Sequence, residues 1–472
     1  MTMTSTLGGC LVGPNYVRPS APTPEHFKEA AAPAKGWKRV SPLDTIDRGA
    51  WWDVYRDPTL SALASQVDIS NQSVASAAAN YVAAREAIKE AQASLFPTVT
   101  ASHTTTASGS RVSRTTLTFV PSATATWDID VWGRIRRNVE ASAAAAQASA
   151  ADLQNAKLSE QGALLTAYYD LRATDALKDL YDRTAAAYQK TLEITRNEFK
   201  GGTVSEADVV TAQTQLYQVQ ALSIDTGVLR AQYEHAIALL IGRPPADLRV
   251  QRNGRALPPP PATPITVPAR LLERRPDVAA AERTLQQDSA LIGVAVANFY
   301  PDINLTALFS YTAGPPPVSM AGAAWSIAGS ATQPIFDGGL LSAQLAAARA
   351  NYDSSVATYR QTVLTAFQQV EDALAAIRVY AAEAAKDRET VAAAKKAVAV
   401  YLNQYQAGTV AFTTVVTAQA TQLTAEESLL AVQQSQLIES VALIQALGGG
   451  WHADELSPIE TLTPVSTLTP PL

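Results

Sequence analysis

Asp128 and Asp130 are the side chains in this sequence that most suggest chemistry, because two neighbouring carboxylic acids can pass a proton to and from a substrate. That work needs a pocket and a partner group. The sequence supplies neither beside them, and their place at a strand-to-helix junction favours a structural role. His26, His103, His235 and His452 lie too far apart for ligand-type spacing. Cys10 is the single cysteine, so neither an intrachain disulfide nor a thiolate metal cluster can form. There is no Gly-rich phosphate loop after a strand, no His-Glu-x-x-His and no nucleophile elbow. The reading is a protein that is not an enzyme and carries no cofactor.

Composition narrows the class. The chain has 472 residues with 37 basic and 43 acidic side chains, a formal charge of −6. Phosphate neutralisation needs clustered Lys and Arg, and no basic stripe occurs, so nucleic acid is not an expected partner. Frequent alanine with interspersed charge is the composition of long helices. No run of 18 apolar residues exists, so a membrane role has to come from strands or from an anchor. Leu7-Gly8-Gly9-Cys10 has the form of a lipoprotein signal's end, which makes Cys10 the candidate lipid attachment site. Met1 to Thr6 supplies neither the basic nor the apolar region of such a signal.

The chain repeats itself. Val209-Val210-Thr211-Ala212-Gln213 recurs 206 residues later as Val415-Val416-Thr417-Ala418-Gln419. Gly202-Thr203-Val204 recurs as Gly408-Thr409-Val410, and Gly133 as Gly339, at the same offset. Phe96-Pro97 recurs as Tyr300-Pro301 at 204, so about two residues entered between these landmarks. The halves meet at Pro258-Pro259-Pro260-Pro261, which cannot continue a helix. The expected division is an N-terminal anchor and extended segment (1–50), a first repeat (51–250), a proline-rich linker (251–275), a second repeat (276–450) and a tail (451–472).

Each repeat reads helix, β-hairpin, long helix, shorter helix. Asp57-Pro58 opens a helical stretch predicted to reach about Phe96, and Pro276-Asp277 opens its partner. Hairpins are predicted at about 97–130 and 301–336, with turns near Gly109 and at Gly314-Pro315-Pro316-Pro317. Ile303, Leu305, Ala307, Phe309 and Tyr311 alternate with mainly polar residues, as do Leu117, Phe119, Ala123, Ala125 and Trp127. Such strands suit a transmembrane barrel, although the pattern alone fits a soluble hairpin equally. Proline-free runs from Gly133 to Gly202 and from Gly339 to Gly408 predict helices on the order of 100 Å long. Leu177, Tyr181, Thr184, Tyr188, Leu192, Thr195 and Phe199 give one a coiled seam. Return helices are predicted to start at Ser205 or Thr413 and to end near Gly242 and Gly448.

Four strands cannot close a barrel in lipid, where about eight is the practical minimum. Copies must share one, and three would supply twelve strands. The same symmetry would arrange the helices as a tube, and a barrel continued by a tube is a duct.

Specific residues now point to a family. Cys10, Gly13-Pro14-Asn15-Tyr16, Trp51-Trp52, Asp57-Pro58, Arg274-Arg275-Pro276-Asp277, Phe299-Tyr300-Pro301 and Ala446-Leu447-Gly448-Gly449-Gly450-Trp451 resemble the TolC-like outer-membrane factors, in the NodT/OprM-type lipoprotein branch. The resemblance implies a mainly α fold with a membrane β-barrel: a homotrimer whose twelve-stranded barrel continues into a periplasmic α-barrel. It implies a lipidated N-terminus in the outer membrane, a periplasmic adaptor, and a proton-driven inner-membrane transporter that supplies the energy. Small-molecule efflux is the implied role. A duct for type I protein secretion, or a coiled-coil spacer, are the competing readings. In the family the two helix turns face the periplasm, contact the adaptor and constrict the tube. Here those tips are Gly202-Thr203-Val204-Ser205 and Gly408-Thr409-Val410-Ala411. Relatives place an apolar residue at Thr413 and an acidic one at Thr417, so this chain departs from the pattern at both. Glu206 and Asp208 are then the better candidates for a charged aperture, although acids also suit the first turn of any helix.

Overall fold

A computed structural model describes residues 11–24, 26–29, 50–111, 115–254, 256–261, 274–312, 322–451 and 453–463. Cys10, the Gly314–Pro317 turn and most of the proline-rich linker lie outside these described residues. After a short 3-10 turn at Trp51–Tyr55 come α1 (Pro58–Ser70), α2 (Gln72–Ala93), β1 (Thr98–Ser108) and β2 (Thr116–Asp128). The long α3 (Arg134–Lys200) and its return α4 (Glu206–Leu240) complete the first half. The second half runs α5 (Pro276–Ala297), β3 (Asp302–Tyr311), β4 (Ala323–Thr332), α6 (Leu340–Gln406) and α7 (Phe412–Ala446). A one-turn α8 (Ile459–Leu462) follows. The duplication is visible in the lengths: α3 and α6 have 67 residues each, α4 and α7 have 35, α2 and α5 have 22.

Local chemistry explains the boundaries and corrects two of the expectations. Asp57 caps α1 as expected, its Oδ1 accepting from the N–H groups of Thr59 (2.9 Å) and Leu60 (3.2 Å), with Pro58 at the first position. The helix does not continue to Phe96. It breaks at Asn71, which is extended, and whose side chain accepts from the N–H of Val74 to start α2. An asparagine that satisfies a free helix-start N–H in this way competes with the continuous helix. Pro58 and Pro276 therefore open non-equivalent helices: the partner of Pro276 in the first half is Gln72. The second correction concerns α7, which starts at Phe412 with Ala411 at the cap, so Thr413 already lies inside its first turn.

The break at Asn71 joins two helices end to end. Asn71 Nδ2 donates to Leu240 O (2.8 Å) and Ser70 Oγ donates to Ile241 O (2.6 Å), so the C-terminus of α4 abuts the start of α2. Arg275 does the same in the second half, donating through Nη1 to Ala446 O (3.0 Å) where α7 meets α5. Each splice also aligns one helix dipole with the next. Gly242 and Gly448 make the contact possible. Both have positive φ (+65° and +94°), and a Cβ on them would lie 2.0 Å from Ser70 O and 1.9 Å from Arg274 O.

Within the chain the helices line up as α4, α3, α7, α6, with α2 on α3 and α5 between α3 and α6. The main core lies at mid-length, around Trp51, Leu60, Leu164, Tyr168, Ile237, Tyr359, Val363 and Leu437. The connector after α4 is pinned to α3 and α4 by Asp175 on α3, whose carboxylate is fully buried. It accepts from Arg230 Nε (2.9 Å), Arg172 Nη1 (3.4 Å) and the N–H of Asn253 (3.2 Å). Both guanidinium groups also hold the connector backbone, Arg230 at Val250 O (2.6 Å) and Arg172 at Gln251 O (2.8 Å).

The strands form one antiparallel sheet in the order β1-β2-β3-β4. Registers such as Thr105↔Phe119, Ala123↔Phe309 and Phe309↔Trp325 put every odd-numbered strand residue on one face. That face carries Val99, Phe119, Trp127, Leu305, Phe309, Trp325 and Ile327. The other carries Thr100, Ser102, Thr104, Thr124, Thr306, Ser326 and Ser330, with Val120 and Leu308 as its large apolar side chains. Among the described residues no helix is laid on either face, and β1 and β4 each keep one edge unpaired. Phe119 and Phe309 are exposed in the single chain and belong to no globular core.

Candidate functional site

The two predicted tips are built alike. At the end of α3 the N–H of Gly202 donates to Phe199 O (2.9 Å) and that of Thr203 to Glu198 O (3.0 Å), the paired bonds of a Schellman turn. Gly408 donates to Tyr405 O (2.8 Å) and Thr409 to Gln404 O (3.0 Å) in the same pattern. Thr203 and Thr409 add their hydroxyls to the same carbonyls, at 2.8 and 2.9 Å. Gly202 and Gly408 sit at φ +73° and +71° with open space around the missing Cβ, so they serve the turn and not a close approach. Val204 and Val410 fold inward onto one shared core with Leu192, Leu216, Tyr405, Phe412 and Val415. The structure thus brings both tips to one end of the molecule. Of the predicted coiled seam, Tyr181, Tyr188, Leu192 and Thr195 are buried, whereas Phe199 is exposed and its partner Tyr405 is not.

The tips differ in charge. The Asp208 carboxylate accepts from the N–H (3.2 Å) and the hydroxyl (3.1 Å) of Ser205, which caps α4, and Glu206 beside it is exposed. No acid stands in the first turn of α7. Ala411 is exposed there, as are Thr413 and Thr417, and the Thr417 hydroxyl donates back to Thr413 O (2.9 Å). Tyr405, tilted against Phe412 with ring centroids 5.2 Å apart, has its phenol pushed above the usual tyrosine range by burial and by the nearby Glu198 carboxylate.

At the opposite end the sheet meets the helices. Asp130 accepts from the N–H groups of Ile135 (3.1 Å) and Arg136 (2.9 Å), and Asp128 accepts from Asn304 Nδ2 (2.5 Å) and faces Arg134. The acid pair is engaged by a helix start and a sheet seam. Trp132 stacks on Tyr300 at 4.8 Å and donates to Pro301 O (2.9 Å), and Trp127 donates to Leu95 O (2.9 Å). The N-terminal strap is tied to this level. The N–H of Val12 donates to Trp132 O (3.2 Å), and the buried Arg137 donates to Val12 O (3.2 Å) and Asn15 Oδ1 (2.9 Å). The strap then crosses to the second half through Tyr16–Glu282 (2.9 Å) and Arg18–Tyr359 (3.2 Å). Arg137, Asp175 and Asn71 were not found from the sequence. Only the duplication offsets hint at the last, by aligning Asn71 with Arg275 and Leu240 with Ala446.

Among the described residues no helix is long and apolar enough to cross a membrane, and no three His, Cys, Asp or Glu side chains gather as metal ligands. Residues 63–243 and 267–449, one stretch in each repeat, match the family described as outer membrane efflux protein. The chain belongs to that family. A toluene efflux pump outer membrane protein of Pseudomonas putida, TtgC, is 30% identical over 481 residues, covering 96% of each chain. Nodulation protein T of Rhizobium leguminosarum bv. trifolii is 28% identical, covering 94% of this chain and 96% of its own. The solved outer-membrane channel OprN superposes with a TM-score of 0.84 at 29% identity, over 94% of this chain and all of that one. The family resemblance read from the sequence is borne out. So is the fold of long helices joined to a small β domain. As an outer membrane efflux protein the chain is a channel component of the outer membrane.

Proposed function

We propose that three copies form the exit duct of a tripartite system that moves small apolar and drug-like molecules out of the cell. The observation that carries this reading is the sheet: two unpaired edges, one face apolar and one face lined by hydroxyls. A sheet in that state is unfinished, because lipid tolerates no free edge. Strands of 10 to 13 residues match the length that crosses a bilayer when tilted. Closing three sheets gives twelve strands with the apolar face toward lipid and the Thr and Ser face toward water. Such a wall offers substrates few handles, so selection and energy fall to an inner-membrane transporter, of the proton-driven kind, reached through a periplasmic adaptor. TtgC's description as part of a toluene efflux pump supports the substrate class.

In this reading the adaptor meets Gly202–Ser205 and Gly408–Ala411, and Glu206, Asp208, Thr413 and Thr417 surround the aperture. Val12, bonded at the foot of the sheet, follows Cys10 by two residues in the sequence, and Cys10 is the residue that would carry the lipid. Size measurement of the detergent-extracted protein should give a trimer, and planar bilayers should show conductance. A soluble monomer would defeat the duct. Asp208→Lys should change that conductance, and equal conductance in both proteins would remove Asp208 from the aperture. Asp208→Ala should cost about 1 kcal/mol in denaturant unfolding, through the lost capping-box bonds to Ser205.

A further inference from the structure

We propose that the protein carries a site for a small amphipathic zwitterion, an amino acid with an apolar side chain, in the cavity lined by Trp51 and Trp451. The cavity has a volume of about 250 Å³ and lies beside the α7–α5 splice. Both repeats of one chain build its wall. The Trp51 turn, α1 and α3 supply one part, and Pro276 with the glycines after α7 supplies the other. Pockets for drug-sized molecules run from about 300 to 1,000 Å³. This one is smaller, which suits a single amino acid and not a drug.

The wall carries charges of both signs that do not satisfy each other. Lys157 on α3 is half-buried and Glu455 is exposed, and neither makes an ion pair or a hydrogen bond among the described residues. Asp68 adds a second carboxylate. The buried Gln161 holds it in place, donating to Asp68 Oδ1 (2.8 Å) while accepting from the Trp51 indole N–H (2.8 Å). Gly450 sits at φ +90°. The N–H groups of Gly448 and Gly449 close on Gln445 O and Ile444 O, whereas that of Gly450 has no partner among the described residues. An amino acid answers each of these groups. Its carboxylate suits the Lys157 ammonium and the Gly450 N–H. Its ammonium suits Glu455, Asp68 and the indole faces, and its side chain suits Leu158 and Pro276.

The duplication shows that the opening is not a default of the fold. At the 206 offset Lys157 and Gln161 correspond to Val363 and Phe367. Both are buried in the main core, where Phe367 packs on Phe27 with ring centroids 6.4 Å apart. Gly450 corresponds to Pro244, which has no N–H to offer. The second repeat thus puts apolar side chains where the first keeps polar ones around a cavity.

Calorimetric titration of the detergent-extracted full chain with L-leucine tests the site. Saturable binding is expected, one molecule per chain, with a dissociation constant below about 1 mM. Leucinamide lacks the carboxylate and 4-methylpentanoate lacks the ammonium, and each should bind at least about tenfold more weakly. Lys157→Met keeps the aliphatic stem, and Glu455→Gln changes an exposed side chain without contacts, so both variants should fold. Each should weaken L-leucine by the same factor. No saturable heat up to about 10 mM leucine overturns the site. Equal binding of either singly charged analogue overturns the zwitterion. Full affinity in both variants puts the leucine elsewhere and overturns the assignment to this cavity.

Discussion

Replacing Asp175 by alanine is expected to destabilise the folded protein by about 3–5 kcal/mol, because two guanidinium groups lose a fully buried counter-charge at once. Arg172 would remain directed at Gln251 O with its charge unbalanced, and Arg230 would keep only Glu234 (3.1 Å) and Val250 O. The connector between the halves would lose the N–H bond of Asn253 as well. Denaturant unfolding in detergent, compared with Asp175→Asn, measures the effect. The amide keeps the shape and much of the hydrogen bonding, so its loss should be smaller. If the alanine variant loses less than about 1 kcal/mol, the cluster is not what holds the connector. The positions equivalent to Asp175 and Arg230 in the second half are Ala381 and Gln436, so only the α3–α4 pair depends on this charge.

Gly448→Ala should be strongly destabilising. The added carbon meets Arg274 O at 1.9 Å, and φ is +94°. Left-handed backbone strain alone costs about 1–2 kcal/mol. The clash forces apart the α7–α5 splice that Arg275 closes on Ala446 O, which brings the expected loss to about 3 kcal/mol or more. Gly408→Ala is the control. It shares the left-handed conformation, but nothing lies within 4 Å of the new carbon, so only the strain should appear. Thermal unfolding of the two variants side by side checks the difference. Equal losses would mean that the splice yields without cost.

Much of this was legible in the sequence, for physical reasons. A proline-free run between two glycines sets a long helix, and a five-residue identity at a fixed offset exposes a duplication that composition cannot hide. Period-two alternation placed Phe309 and Ser310 on opposite faces correctly. What escaped was long-range. Asn71 carries no signal that it will end one helix and grip Leu240 on another. Asp175 is one acid among many on α3, and its partner Arg230 lies 55 residues away. The tips were located from Gly202 and Gly408, but the sequence did not show that Asp208 is engaged by Ser205, because capping competes with any role in solvent. The start of α7 lies at Phe412 and not at Thr413, since the methyl of Ala411 has no hydrogen-bonding group to announce a cap.

The two halves have drifted apart in residues far more than in length. From Gln72 to Ser108 the offset holds at 204, and from Thr116 to Leu240 at 206, so the whole discrepancy falls in the loop that joins paired strands at their far ends. Elsewhere one inserted residue would turn everything after it by about 100° and advance it by about 1.5 Å. An epitope tag beside Gly109 should therefore be tolerated where a single extra alanine inside α6 is not. Evolution of this protein is free to repaint its walls but not to change the height of any one of them.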